Sequence, residues 1–410
     1  MVQKGLQIGA RLCGILAAMF VVSGASAQEG LTNNEVRIGI LNDMSGPYSD
    51  SVGQGIVDAA QWAIDDFGGN MDGKPILLMN ADTQLKADIA SAIARRWIDE
   101  NNVDALLTPA GTATTMAALE LAKLRGITIL NTGGVSSDLS GKACSELSTH
   151  WIIDTYAAAK LGVKAGAIVG AKSWFFVTAD YAFGENLQRD AENEIRSTGG
   201  KTLGSVRAPI NTMDFSSFLL TAQSSRADII AMANAGGDTL NSLKQAGEFG
   251  IRAGGQKLIG LITNTSDIHA LGLEAAQGLM LSDSYFWDRD DATRAFAKRF
   301  EAKFKRYPSQ NHAAAYSATL HYLRAIKAAG TDNAKSVNAK MREMPVNDFF
   351  ALNGTIRQDG RMIPSYVYLL EAKKPADSRS GWDLYNLIEK VPGDQAYRPL
   401  NQGGCPLVKN

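Results

Sequence analysis

Cysteine and histidine are scarce in this chain of 410 residues, at three and four respectively. The histidines His150, His269, His312 and His321 show no i,i+4 pairing, and neither HExxH nor CxxC occurs. That pattern excludes the common tetrahedral zinc arrangements, structural or catalytic. Neither sign of charge is in surplus: 41 Lys and Arg stand against 42 Asp and Glu, a net charge of -1. Nucleic acid is therefore not an expected partner, because neutralising phosphates needs a concentrated basic face. The chain has no Walker A sequence and no G-x-S-x-G elbow. Gly53 and Gly55 begin a G-x-G, but Asp58 stands where a dinucleotide-binding turn needs its third glycine. Neighbouring carboxylates do occur (Asp65 with Asp66, Asp290 with Asp291, Asp283 near Asp288), and they read as solvated faces rather than acid–base dyads. No metal or cofactor is expected, and nothing demands a catalyst.

What remains is ordinary globular composition, with 45% hydrophobic and 20% charged residues. The length suggests two domains, each able to bury a core of its own. Lys4 and Arg11 precede an apolar run at 12–22 (LCGILAAMFVV), which is too short to span a bilayer, and Ala25, Ser26 and Ala27 supply a small-residue cleavage pattern. Residues 1–27 read as a secretory signal, with a short membrane anchor as the alternative. Export leaves Cys144 and Cys405 as an even pair in an oxidising compartment. They suggest one disulfide fastening the C-terminal tail; two unpaired thiols are the other possibility.

Short apolar runs alternate with helical periodicity throughout, the pattern of βαβ units and parallel sheets. The first series runs from a strand at 36–41 (VRIGIL) through helices at 55–67, 87–100 and 115–125. A second series begins near residue 151 and carries a helix at 152–161, strands at 173–178, 229–233 and 257–262, and helices between them. Helices return at 292–305 and 312–329, and the stretch 373–380 (KKPADSRS) reads as a loop. Two segments echo each other: Asp104 and Asp228 each open a strand, small-residue loop and helix that stops at a glycine, Gly126 and Gly250. The repetition suggests two similarly built lobes. The expected division places 34–150 plus 283–353 in lobe 1, 151–282 plus 354–386 in lobe 2, and 387–410 in a tail.

Polar, small-residue loops stand at the C-terminal ends of the expected strands, at 42–48, 110–115, 131–136, 179–184 and 234–239. In open α/β sheets ligands sit along that rim, where helix N-termini offer free N–H groups to anions. Helix capping alone would also place Thr, Ser and Asp there. Five such loops divided between two lobes point to a shared cleft.

Three stretches, 36–47 (VRIGILNDMSGP), 181–187 (YAFGENL) and 314–318 (AAYSA), resemble the periplasmic branched-chain amino-acid-type (Leu/Ile/Val-binding-like) binding proteins of ABC transporters. The resemblance implies an α/β fold of two Rossmann-like lobes joined by three hinge crossings, the type I periplasmic binding protein fold. It also implies a periplasmic protein closing around a small ligand and docking, unaltered cargo in hand, on a membrane permease. A monomer is expected. Residue by residue, Gly111 and Thr112 match the family's carboxylate-binding loop, and Gly133 retains an N–H where Val135 replaces a threonine. Phe183 aligns with an aromatic wall, and the acid that grips an amino acid's ammonium should fall at 260–262, where there is none. The stretch 150–157 (HWIIDTYA) resembles a subgroup linked to aromatic-acid uptake. The expected ligand is thus a carboxylate-bearing aromatic acid, bound by Tyr48, Gly111, Thr112, Gly133, Trp151, Tyr181 and Phe183, with Asn234, Gly236 and Asp238 from the second lobe. The alternatives are a branched-chain or other amino acid, or an exported ligand sensor.

Overall fold

The computed structural model describes residues 1–2 and 30–409. The expected secretory signal, beyond its first two residues, lies outside the described residues. The first lobe is built from β1 (Val36–Asn42), α1 (Gly53–Phe67), β2 (Asn70–Met71), β3 (Lys74–Asp82), α2 (Ala87–Asn101), β4 (Ala105–Thr108), α3 (Thr112–Arg125), β5 (Thr128–Asn131) and β6 (Ser148–His150). Its six-stranded sheet has the order β2-β3-β1-β4-β5-β6. β1 lies parallel to β3 on one side and β4 on the other, and all but one of its residues are buried. A strand covered by helices on both faces is apolar along most of its length, which is why VRIGIL reads as a nearly continuous run broken only by the half-buried Arg37.

The second lobe comprises α4 (Thr155–Ile168), β7 (Ser173–Ala179), α5 (Ala182–Ser197), β8 (Lys201–Ala208), α6 (Ser216–Ser224), β9 (Ile229–Ala233), α7 (Gly237–Glu248), β10 (Lys257–Gly260), α8 (Thr265–Leu271), α9 (Leu273–Ala276) and β11 (Met280–Asp283). The chain then returns to lobe 1 with α10 (Asp291–Phe304), α11 (Gln310–Ala329), α12 (Ala334–Glu343) and the ribbon β12 (Thr355–Ile356) with β13 (Met362–Ile363). It closes in lobe 2 with β14 (Tyr366–Ala372), β15 (Tyr385–Pro392) and α13 (Gly393–Ala396). The second sheet is seven-stranded, in the order β15-β14-β11-β10-β9-β7-β8, with β14 antiparallel to β11. Two α/β lobes therefore exchange the chain three times, at 150–155, 283–291 and 363–366.

Several boundaries fall elsewhere than the sequence suggests. The helix expected from residue 152 starts at Thr155, because Asp154 caps it, its Oδ1 accepting from Ala157 N–H at 2.9 Å. Residues 151–153 are instead the buried first crossing. Ile356 and Met362 pack into the first lobe's core rather than the second's. Leu387 to Pro392, placed in the tail, lie within β15. Cys144 of the first lobe and Cys405 are bonded, with Cα atoms 5.7 Å apart. The tail thus leaves the second lobe, where Ala396 and Tyr397 join the core, and is pinned covalently to the first.

Arg361, fully buried and just before β13, fastens the first crossing to the segment that leads into the third. Its Nε and Nη2 donate to His150 O, Nη2 also to Ile152 O at 2.8 Å, and Nη1 meets Asp154 Oδ2 at 3.1 Å. The first and second crossings meet through Ser284, whose Oγ accepts from Ile153 N–H and donates to Gln310 Oε1 at 2.6 Å. Beside it Asp283 is buried, and its Oδ1 accepts only backbone N–H, from Tyr285 at 2.8 Å. Burial pushes its carboxyl up to about 8 from the ordinary 3.8. The folded chain therefore keeps a proton that the unfolded chain releases. The resulting stabilisation is complete below the ordinary value and is lost as pH rises towards 8. Thermal melts should show stability falling between pH 5 and 8, with a flatter profile for Asp283→Asn. Equal slopes in the two proteins would mean that Asp283 titrates as an exposed carboxylate does.

Candidate solute-binding site

Between the lobes lies a small cavity lined by residues of both. The first lobe contributes the β1–α1 loop, the start of α3 and the start of α11. In the β1–α1 loop, the buried Asp43 carboxylate accepts from Gly46 N–H at 2.8 Å and Tyr48 N–H at 3.0 Å, folding the chain so that Tyr48 enters the cavity. Burial raises the Asp43 carboxyl above its ordinary value. From the second lobe Tyr181 approaches, and the two phenol hydroxyls hydrogen-bond across the cleft. Desolvation drives both phenols upward, so both stay neutral.

α3 begins at Thr112 after Gly111, an N-cap with no side chain to satisfy the first turn. Thr114 Oγ1 bonds back to Ala110 O at 2.5 Å and Thr115 Oγ1 to Gly111 O at 2.8 Å, so neither hydroxyl competes for those N–H groups. Thr112 lines the cavity, and its Oγ1 is buried with no hydrogen-bond partner among the described residues. Together they form an uncovered donor set at the positive end of a helix. Gly133 stands beside it with its N–H already donated to Asn131 Oδ1 at 3.1 Å, so the group expected to face a ligand is occupied. A Cβ at this glycine would fall 1.6 Å from Pro109 O, so only glycine allows the two loops to touch.

Phe183 lines the cavity with its ring 5.6 Å from that of Tyr181, and Ala235, Ile262 and Asn264 complete the second lobe's share. Six expected residues are thus brought together: Tyr48, Gly111, Thr112, Gly133, Tyr181 and Phe183. The other four stand off the cavity. Trp151 is fully buried in the first core, its Nε1–H bonded to Thr149 Oγ1 at 2.8 Å and its ring edge-on to His321. Asn234 spends its amide on the first turns of α7, accepting from Thr239 Oγ1 at 2.8 Å and donating to Ser242 Oγ. Asp238 accepts from Asn211 N–H at 3.3 Å, and burial raises it to about 6. Gly236 packs against the opposite lobe: with φ at +59°, a Cβ there would lie 2.7 Å from Pro47 O.

Gln310 and Asn311, at the start of α11, also line the cavity and went unread in the sequence. Asn311 Nδ2 donates to Pro109 O and Thr132 O, tying both carboxylate-side loops to α11. The available signal was the capping box Ser309 to His312, which opens a helix buried along most of its length. No Asp, Glu, Lys, Arg or His stands among the lining residues described. Among the described residues no cluster of three or more His, Cys, Asp or Glu side chains could hold a metal, and no helix is long and apolar enough to cross a membrane.

Known proteins agree with this architecture. A periplasmic binding protein from Burkholderia mallei is 44% identical, with 92% of this chain and 100% of that one covered and a TM-score of 0.90. A branched chain amino acid ABC transporter periplasmic ligand-binding protein from Burkholderia xenovorans is 37% identical over 91% of this chain and 99% of that one, with a TM-score of 0.81. Leu/Ile/Val-binding protein homolog 7 of Brucella abortus is 22% identical over 57% of this chain, and the match spans 61% of that protein's length. The family profile described as periplasmic binding protein matches residues 35–378. The chain therefore belongs to the periplasmic binding protein family, whose members work in the periplasm and hold a solute without transforming it.

Proposed function

We propose that this protein captures a small organic solute by its carboxylate at the start of α3 and delivers it to the membrane permease of an ABC transporter. The observation that carries the reading is the unpartnered Thr112 hydroxyl beside an uncapped helix N-terminus, in a cavity without a charged side chain. Helix-end N–H groups and a hydroxyl suffice for one carboxylate. The rings of Tyr48, Tyr181 and Phe183 offer cover for an apolar body. A lining without Asp or Glu supports an acid that carries no ammonium, such as an aromatic acid, because an unpaired buried cation is strongly disfavoured. The second reading, a branched-chain or other amino acid, is favoured by the name of the Burkholderia xenovorans protein. In that case the ammonium would depend on neutral oxygens such as those of Tyr181 and Asn264.

Calorimetric titration with L-leucine, L-valine, L-phenylalanine, benzoate and phenylpyruvate separates the two. Uptake of acids alone supports the first reading, uptake of amino acids alone the second, and no response from any carboxylate removes both. For whichever ligand binds, Thr112→Val should weaken affinity about ten- to a hundredfold, the range of a hydrogen bond to a charged group. Unchanged affinity would take Thr112 out of the site.

A further inference from the structure

The hairpin loop between β14 and β15 is held in shape by its own charges. The Asp383 carboxylate accepts from Lys373 Nζ at 2.7 Å and from Arg379 Nε at 2.8 Å. Next to Asp383, the Trp382 ring stacks on two others. It stacks on His269 of α8 with centroids 3.8 Å apart and planes 12° apart. It also stacks on Tyr307, at 5.1 Å and 4°. Trp382 packs on the second lobe's core, whereas Tyr307 occupies the α10–α11 connection of the first lobe and meets the Trp287 ring edge-on at 4.7 Å. The stack therefore bridges the lobes.

Both of its ends lead to the cavity wall. α8 starts from the N-cap Asn264, a cavity residue. On the other side, Arg306 Nη1 donates to Asp50 O, Ser309 Oγ donates to Ser51 O at 2.7 Å, and His312 Nε2 lies 2.9 Å from Val52 O. Ser51 and Val52 line the cavity beside Tyr48. The geometry points to Trp382 as a positioning residue for solute capture, an interlobe clasp that holds the two cavity walls together from outside the cavity. Opening the cleft separates Trp382 from Tyr307 and wets both faces, so the stack favours the closed arrangement alone. The purpose of the clasp rests on the solute-capture reading, but its geometry does not.

The test uses the full-length mature chain and the variants Trp382→Ala, Trp382→Phe and Tyr307→Ala. Small-angle scattering without added solute should give a larger radius of gyration for Trp382→Ala and Tyr307→Ala, with Trp382→Phe restored to the wild-type value. Superimposable curves for wild type and Trp382→Ala overturn the clasp. With L-leucine, L-phenylalanine and benzoate as probes, a probe held by wild type should leave Trp382→Ala about tenfold faster. The Trp382→Ala/Tyr307→Ala pair should lose no more than either single variant; additive losses overturn the coupling. If no probe binds wild type while the scattering curves still separate, the solute reading fails and the clasp stands.

Discussion

Replacing Arg361 with methionine should destabilise the protein by about 3–5 kcal/mol, the cost of breaking a buried ion pair from one side. Arg361 is fully buried, and the methionine side chain fills much of its volume without a donor. The substitution strands the Asp154 carboxylate, which keeps only the Ala157 N–H bond at 2.9 Å. It also leaves the carbonyls of His150 and Ile152 without their donors and removes the guanidinium from the face of Tyr397, 4.6 Å away. His150 does not compensate by charging, because burial, the larger of the causes that hold its imidazole well below the ordinary range, persists without the arginine. A lysine should fail as well, since a point charge cannot span two carbonyls and a carboxylate at once. The double variant Arg361→Met/Asp154→Asn should recover part of the loss, because it removes the stranded charge. Urea unfolding of the three proteins decides this. A loss below about 1 kcal/mol for Arg361→Met would mean that the first crossing stays in place without the arginine.

Much of this fold was legible because buried parallel strands leave an unambiguous trace. The run at 229–233 is apolar throughout and that at 36–41 is apolar but for the half-buried Arg37, and both are strands sheathed by helices. β11 left no such trace: its sequence MLSD ends in two polar residues, both buried, Asp283 accepting from Tyr285 N–H at 2.8 Å and the Ser282 hydroxyl without a partner among the described residues, and no periodicity encodes either burial. β15 was hidden for the opposite reason, since an edge strand exposes Asn386, Leu387 and Ile388 in succession. At the site, loops at strand ends pointed to Gly111, Thr112, Tyr181 and Phe183 without showing where each side chain turns. Trp151 looked like a cavity wall because an aromatic beside a hinge has two possible sides, and its indole N–H found Thr149 on the inner one. Asn234 and Asp238 illustrate the same ambiguity: their polar groups satisfy neighbouring loop and helix atoms. Gln310 and Asn311 were missed because polar residues opening a helix pass for caps.

Gly133→Ala should have the second large effect, and it acts on the site as well as on stability. The added methyl would lie 1.6 Å from Pro109 O, 2.0 Å from Pro109 C and 2.7 Å from Ala110 N. All three are backbone atoms, so no rotamer change relieves the clash. Neither loop is free to retreat. Asn131 Oδ1 accepts from Gly133 and Gly134 N–H at 3.1 and 2.7 Å, and Asn311 holds Pro109 O and Thr132 O from the other side. The strain must therefore pass into the β4–α3 turn, which carries Gly111 and Thr112. A stability loss of about 3 kcal/mol or more is expected, at the upper end of overpacking effects. Solute binding should be lost even at temperatures where the variant stays folded, because a displaced α3 no longer presents its first turn to the cavity. Gly237→Ala is the control: nothing lies within 4 Å of the added carbon at that glycine, and both stability and binding should be nearly unchanged. Thermal melts and calorimetric titration of the two variants test the argument together. A Gly133→Ala protein with wild-type melting and wild-type affinity would show that the two loops yield independently of the helix they support.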